Sequence, residues 1–325
     1  MKFLLSSFFV YAILQAPQLT QGDDFGYDGV LGPTHWGERY RECTGKHQSP
    51  ININILRVKQ VALPDIVFVG FDDPIDNVHV SNNGHTVLIE VQNEPHPRVS
   101  GGPLEGDYVF SQMHFHWGDN DTLGSEDKIN HRSFPMELHM VFYKEEYKTV
   151  QEAVRHRDGL TVLAFFYELD RHQHPAYDDI TSALSNVTDP HASVIMDHPF
   201  SFLNILPYDL RRYFTYRGSL TTPPCSEVVI WLDFEQPVRL AHDQGSLGHW
   251  FASESEERVT HTGVCAAGRR ALQHCAGVAP CPRVPASARP EDCPNWGERP
   301  TLEQVSPVAA TIFASHCCWQ AHSTT

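Results

Sequence analysis

The chain has 325 residues, 41% of them hydrophobic and 11% aromatic, enough to fill a sizeable globular core. Its formal net charge is −16, from 24 basic and 40 acidic side chains. Such an acidic balance argues against a nucleic-acid partner, because phosphate binding needs a basic face.

At the amino terminus Lys2 precedes an apolar run from Phe3 to Leu14, and the small residues Thr20 and Gly22 follow. A positive start, an apolar stretch too short to span a bilayer and a small-residue pair together predict a secretory signal peptide over residues 1–22. Secretion permits disulfides and glycans. Asn120 and Asn186 each head an Asn-x-Thr glycan-acceptor sequence. Of the 8 cysteines, Cys43 and Cys225 stand alone in the body of the chain, and the other six crowd the region from Cys265 onward.

Residues 23 to about 60 are rich in Gly, Pro and aromatics and read as an extended segment laid over a core. Strand-like runs follow at His85–Val91, Tyr108–Trp117, Glu137–Tyr143, Leu160–Leu169 and Glu227–Phe234, each rich in Val, Ile, Phe and Tyr and bounded by turn-forming residues. Helical periodicity is confined to Val150–His156, Asp179–Ser185 and Phe202–Phe214. The expected fold is mainly β (α+β), a single domain over 23–260 with one large sheet and short surface helices. Beyond Val259 the composition turns to Pro, Ala, Arg and Cys, and residues 261–325 read as an atypical Cys/Pro/Ala-rich tail: a genuine disulfide-rich extension, a disordered segment, the product of an alternative splice form or an error in the gene model. No later apolar run reaches the ~20 residues of a membrane span.

Chemistry concentrates in two of the strand-like runs. His114 and His116 are two apart, and alternation puts them on one face of a strand, with Tyr108, Phe110 and Gln112 expected beside them. Met113, Phe115 and Trp117 take the opposite face. On the second run Glu137, His139 and Val141 share a face. If the two strands pair, three imidazoles converge with a fourth position open, which is the donor set of a catalytic zinc site. Gln112 and Glu137 are placed to accept a hydrogen bond from the second nitrogen of a metal-bound histidine. The run Gly218-Ser-Leu-Thr-Thr-Pro-Pro forms a rigid loop ahead of a strand, and Asn82-Asn83-Gly84-His85 a turn feeding one. A histidine at a pocket rim titrates near neutrality and can move protons.

These residues resemble the α-class carbonic anhydrases over about residues 25–260. The resemblance is carried by Gly26-Tyr27, His35-Trp36, Gln48-Ser49-Pro50-Ile51, Asn83-Gly84-His85, Gly101-Gly102-Pro103-Leu104, Gln112-x-His114-x-His116-Trp117-Gly118, Gly124-Ser125-Glu126, Glu137-Leu138-His139 and the run from Gly218 to Cys225. It implies a twisted, mostly antiparallel ten-stranded sheet with a conical cleft. It also implies Zn(2+) held by His114, His116 and His139, and reversible hydration of carbon dioxide through a hydroxide that zinc makes available near neutral pH. Thr221 then orients the hydroxide by giving its own proton to Glu126. Thr222 borders the substrate, Val141, Val162 and Trp231 form its apolar wall, and His85 shuttles protons. Cys43 and Cys225 match the disulfide of secreted and membrane-bound members. Such a bridge closes a long loop and in the chain-entropy account stabilises by ~4–5 kcal/mol.

Two departures stand out. Asp127 occupies a position behind the site where the family usually has a histidine, next to Glu126, and neighbouring carboxyls raise one another's pKa. After Thr260 the family's closing segment is replaced by His261-Thr262-Gly263-Val264-Cys265. The competing reading is a non-catalytic carbonic anhydrase-like binding or matrix module. Members of that kind typically lack one or more of the zinc histidines, and all three are present here.

Overall fold

The structure is a computed structural model that describes residues 25–118 and 120–245. The expected signal peptide and the tail from 261 onward lie outside the described residues.

Twelve strands form in chain order: β1 Asn52–Ile53, β2 Ile66–Val69, β3 Val78–Asn82, β4 Val87–Val91, β5 Arg98–Gly101, β6 Tyr108–Trp117, β7 Lys128–Ile129, β8 Met136–Lys144, β9 Leu160–Asp170, β10 Ser193–Ile195, β11 Tyr213–Gly218 and β12 Val229–Ala241. Ten of them build one sheet in the order β10-β3-β4-β6-β8-β9-β12-β11, and β5, itself paired with β2, joins beside β6. All neighbours in this sheet are antiparallel except β9 and β12, which run parallel. β1 and β7 make a separate short parallel pair. Helices are short, as expected of a mainly β chain, and among the described residues no helix is long and apolar enough to cross a membrane.

The sheet is apolar on both faces along its central strands. On one face Met113, Phe115, Leu138, Met140, Leu163, Phe165, Ile230, Leu232 and Phe234 join the main core. On the other, Val141, Val162, Ala164, Val229 and Trp231 form a second cluster. Strands buried on both faces read as near-continuous apolar runs, which explains why β6, β8 and β9 were so legible in the sequence.

Three expectations need correction. Tyr108 and Phe110 do not share the face of His114: both are fully buried with Met113 and Phe115 in the main core. The reason is a β-bulge. Phe110 pairs with Phe142 and Gln112 with Val141, so Ser111 is an extra residue and the inside–outside alternation inverts across it. The helix expected over Phe202–Phe214 stops at Ile205, and Tyr213 already begins β11. Leu206, which precedes Pro207, has extended angles (φ −97°, ψ 161°), as a residue before proline prefers. The strand expected from His85 starts only at Val87, because Asn83 Oδ1 accepts hydrogen bonds from the backbone N–H of His85 (2.9 Å) and Thr86 (2.8 Å) and holds a turn there.

The last strand runs further than expected, to Ala241, and absorbs Pro237 in a register shift between Phe234 and Val238. The helix of 150–156 is shortened to Val150–Ala153, with the Thr149 hydroxyl accepting from the Glu152 N–H at 3.2 Å.

Cys43 and Cys225 are bridged, with Cα atoms 4.8 Å apart and a sequence separation of 182. Phe25 and Trp36 pack against the bridge, so the N-terminal segment is tied to the loop before β12. Replacing both cysteines with serine is expected to lower unfolding free energy by about 2–5 kcal/mol, read by denaturant titration of the purified protein. An unchanged midpoint would show that packing alone holds this segment.

Candidate metal centre

The strand register builds the site. β6 and β8 pair so that His114 lies directly opposite His139, with His116 two residues further along β6. The ring centroids of His114 and His116 are 5.0 Å apart, those of His114 and His139 5.3 Å, and those of His116 and His139 4.5 Å. One ring nitrogen from each lies within 4.8 Å of the others, the one such set of three or more histidine, cysteine or acidic donors among the described residues.

The remaining nitrogens fix which atoms face inward. His114 Nδ1 donates to Gln112 Oε1 at 2.8 Å, and His139 Nε2 donates to Glu137 Oε1 at 2.7 Å. That leaves His114 Nε2 and His139 Nδ1 to meet His116 at the centre. His116 Nε2 is buried without a hydrogen-bond partner, and so is Glu126 Oε2, 3.4 Å away. Burial, followed by charge repulsion from His139, lowers His114 to about 3. Burial lowers His139 to about 4, with Asp127 opposing. His116 is held well below the ordinary histidine range by burial first, then by His139 and His114. Three neutral imidazoles therefore offer their lone pairs at neutral pH. Orphaned inward nitrogens, imidazole-only donors and second nitrogens locked by polar partners suit a divalent cation of the zinc type.

Glu137, fully buried, is the anchor of this arrangement. Besides His139 it receives the backbone N–H of Asp127 at 3.0 Å and that of Glu126. Burial pushes its carboxyl up to about 8 against the pull of those two hydrogen bonds. The turn that presents these groups is built on Gly124. Gly124 and Ser125 both donate to Phe134 O at 2.8 Å, and a Cβ at Gly124 would stand 1.7 Å from Pro135 O, so only glycine permits the approach.

Glu126 follows two residues later. Burial and then Glu137 raise its carboxyl well above the usual range, while a hydrogen bond from Thr221 lowers it. The loop carrying Thr221 is braced by Leu220 N–H to Ser226 O (3.0 Å), Cys225 N–H to Thr222 O (2.9 Å) and Trp231 Nε1 to Ser219 O (3.2 Å). Thr222 is half-buried beside it. Val141, Val162 and Trp231 are register neighbours across β8, β9 and β12 and are buried together. The Trp231 ring lies 4.8 Å from that of His139, so this apolar wall adjoins the imidazoles.

His85 belongs to a different cluster. It is half-buried just ahead of β4, whose Leu88 pairs with His114, and its ring stacks on Phe25 at 4.3 Å with Tyr27 at 6.4 Å. Asn120 and Asn186 are both exposed. Asn120 Oδ1 accepts from the Thr122 N–H (3.0 Å) and hydroxyl (2.6 Å), and the Asn186 amide donates to Ser182 O (2.9 Å).

Sequence reasoning missed a polar layer behind the trio. Asp127 is buried, and its pKa is raised to about 7 by burial first and by Glu137 second rather than by adjacent Glu126. Tyr216 donates to its Oδ2 at 3.0 Å and reaches Ser49 Oγ at 3.1 Å. Asp233 on β12 is buried close by. The available signal was a lone acid inside the apolar run Val229–Phe234, two residues from Trp231 and so on its face.

A large, mostly antiparallel sheet presents three imidazoles, placed so that they could hold a metal ion, beside a threonine–glutamate pair and an apolar wall, an arrangement of a recognisable class. The eukaryotic-type carbonic anhydrase family model matches residues 31–273, running past the boundary expected at 260. Among similar proteins, "Carbonic anhydrase 15" of Mus musculus is 36% identical over 256 residues, 75% of this chain and 78% of its own. "Carbonic anhydrase 7" of Homo sapiens is 36% identical over 251 residues (74% and 91%), and "Carbonic anhydrase 6" of Homo sapiens 34% over 221 residues (67% and 70%). The chain belongs to the eukaryotic-type carbonic anhydrase family.

Proposed function

We propose that this protein is a secreted zinc enzyme that reversibly hydrates carbon dioxide to bicarbonate and a proton. The observation that carries this reading is the convergence of three neutral, inward-facing imidazole nitrogens beside buried Glu126 and its Thr221 partner. His114, His116 and His139 would hold the zinc, which when bound would make hydroxide available at neutral pH by lowering the pKa of water to ~7.

The chain's own residues do the rest. Gln112 and Glu137 hold the rings of His114 and His139 in the tautomers that aim a lone pair inward. Thr221, its proton committed to Glu126, keeps an acceptor lone pair toward the attacking oxygen and so orients it. Val141, Val162 and Trp231 offer an uncharged wall to an uncharged substrate, and Thr222 flanks it. His85, on an aromatic shelf apart from the trio, relays the proton released in each turnover.

The disulfide agrees with an extracellular protein, as does the exposure of Asn120 and Asn186, the proposed glycan sites. Rapid-mixing measurement of carbon dioxide hydration by the purified full chain tests the reading. Metal-dependent hydration is expected. Bound zinc with no hydration would instead favour a non-catalytic module.

Replacing His85 with alanine is expected to slow turnover on the order of 10–10²-fold in dilute buffer while zinc content stays unchanged. Adding a small imidazole buffer should restore part of the rate. Equal turnover at all buffer concentrations would remove His85 from the proton path.

A further inference from the structure

Four carboxyl groups interact on the imidazole-bearing face of the sheet: Glu126, Asp127, Glu137 and Asp233. The first three have hydrogen-bond donors, Glu126 from Thr221 and Asp127 and Glu137 from backbone and side chain. Asp233 differs. It is 0% exposed, sits opposite Ala164 of β9 and Phe214 of β11, and neither of its oxygens meets an N–H or hydroxyl donor. The group it bonds to is the carboxyl of Asp127.

Two carboxylates facing each other in a dry interior cannot both be ionised without a large cost. Something positive must lie between them. A bound cation is disfavoured, because among the described residues only the histidine trio gathers three metal donors within 4.8 Å. A proton remains, and the donors decide where it sits. Asp127 receives the Ile51 N–H and the Tyr216 hydroxyl, both of which stabilise an anion. Asp233 receives neither.

We propose that Asp233 is a positioning residue that stays a neutral carboxylic acid and donates its proton to the Asp127 carboxylate. The Asp127 carboxylate so held ties the Ile51 backbone to Tyr216. The backbone N–H of Asp127 in turn holds Glu137, and through it His139. The existence of the pair is independent of the function proposed above, whereas its effect on hydration rests on that reading.

The groups facing the pair are Glu126, Glu137, His139 and Tyr216. Burial raises both aspartates first; repulsion by Glu137 adds to it at Asp127, and repulsion by Asp127 and then Glu137 adds to it at Asp233. An unfolded aspartate titrates near ~3.9. The folded state therefore keeps the proton to higher pH than the unfolded chain does. Stability from this pair is complete below ~4 and is lost as pH rises through the folded value of Asp233, which lies well above the ordinary aspartate range.

Infrared spectroscopy of the full chain, with and without aspartate labelled at its side-chain carboxyl with carbon-13, reads the proton directly. The expected result at pH 7 is a protonated-carboxyl band that shifts on labelling and disappears in Asp233→Asn. Absence of any label-sensitive band in the wild type, or its survival in Asp233→Asn, would overturn the pair. The wild-type measurement stands even if the variant does not fold.

Activity tests the positioning role. Asp233→Asn keeps a donor toward Asp127 and should hold kcat/KM within about threefold, with a flatter dependence of unfolding midpoint on pH above ~4. Asp233→Val keeps no donor and should lose about tenfold. Equal activity of Asp233→Val and wild type would overturn the positioning role. A chain that hydrates no carbon dioxide but shows the labelled band would sink the function and leave the pair intact.

Discussion

Replacing His139 with alanine is expected to remove zinc from the protein and to lower carbon dioxide hydration by about 10³-fold or more. His139 is the hinge of the site. It is 2% exposed, lies opposite His114 in the register, and uses both ring nitrogens, one toward the centre and one toward Glu137. Two imidazoles and a solvent molecule do not make the closed three-nitrogen face that catalytic zinc sites use. The substitution also strands Glu137, whose buried oxygen loses a donor, at a cost of about 1–3 kcal/mol in stability. The variant should therefore be both metal-poor and less stable. His114→Ala leaves only the less buried Gln112 without its ring partner, and so separates loss of metal from loss of fold. Retention of stoichiometric zinc by either variant, measured by atomic emission, would mean that the trio is not the metal site.

The second large effect is at Thr221. Thr221→Ala is expected to lower kcat/KM by about 10²-fold with zinc content unchanged, because the attacking oxygen loses the acceptor that orients it. The partnership is directional. Glu126 accepts the threonine proton, and this leaves the threonine oxygen free to accept in turn. Glu126→Gln can present an N–H to the same oxygen and reverse that direction, so it should cost a similar factor. If the two residues act as one unit, the double variant is no worse than either single one. Additive losses in hydration rate would show that Glu126 acts on something other than Thr221.

Much of this site could be read from residue spacing. The two-residue step from His114 to His116, and from Glu137 to His139, needs only strand alternation, and β6 was delimited correctly at both ends. Gln112 and Glu137 were placed on the correct face by the same rule. The rule failed once, on the same strand. Nothing in Phe110-Ser111-Gln112 announces a bulge, because bulges are set by how two strands meet and not by the residues of one. The parity of Tyr108 and Phe110 was therefore wrong while that of Gln112 was right.

Short strands such as β2, β3 and β5 escaped because four or five residues carry too little periodicity to stand out. The helix expected to reach Phe214 ignored what Pro207 demands of Leu206. Asp233 was overlooked for a different reason. Its strand was recognised, yet a buried acid needs a partner, and its partner Asp127 is over a hundred residues away, brought near by the pairing of β11 with β12 and the hydroxyl of Tyr216. Local patterns reveal which face a side chain takes, and only the assembled sheet reveals what it meets there.

Metal stoichiometry of the purified full-length chain tests the central claim most directly. After zinc loading and dialysis, one zinc per chain is expected, removable by a chelator and absent from His114→Ala and His139→Ala. A correctly folded chain that stays metal-free, or that keeps its zinc when these histidines are replaced, would contradict the account.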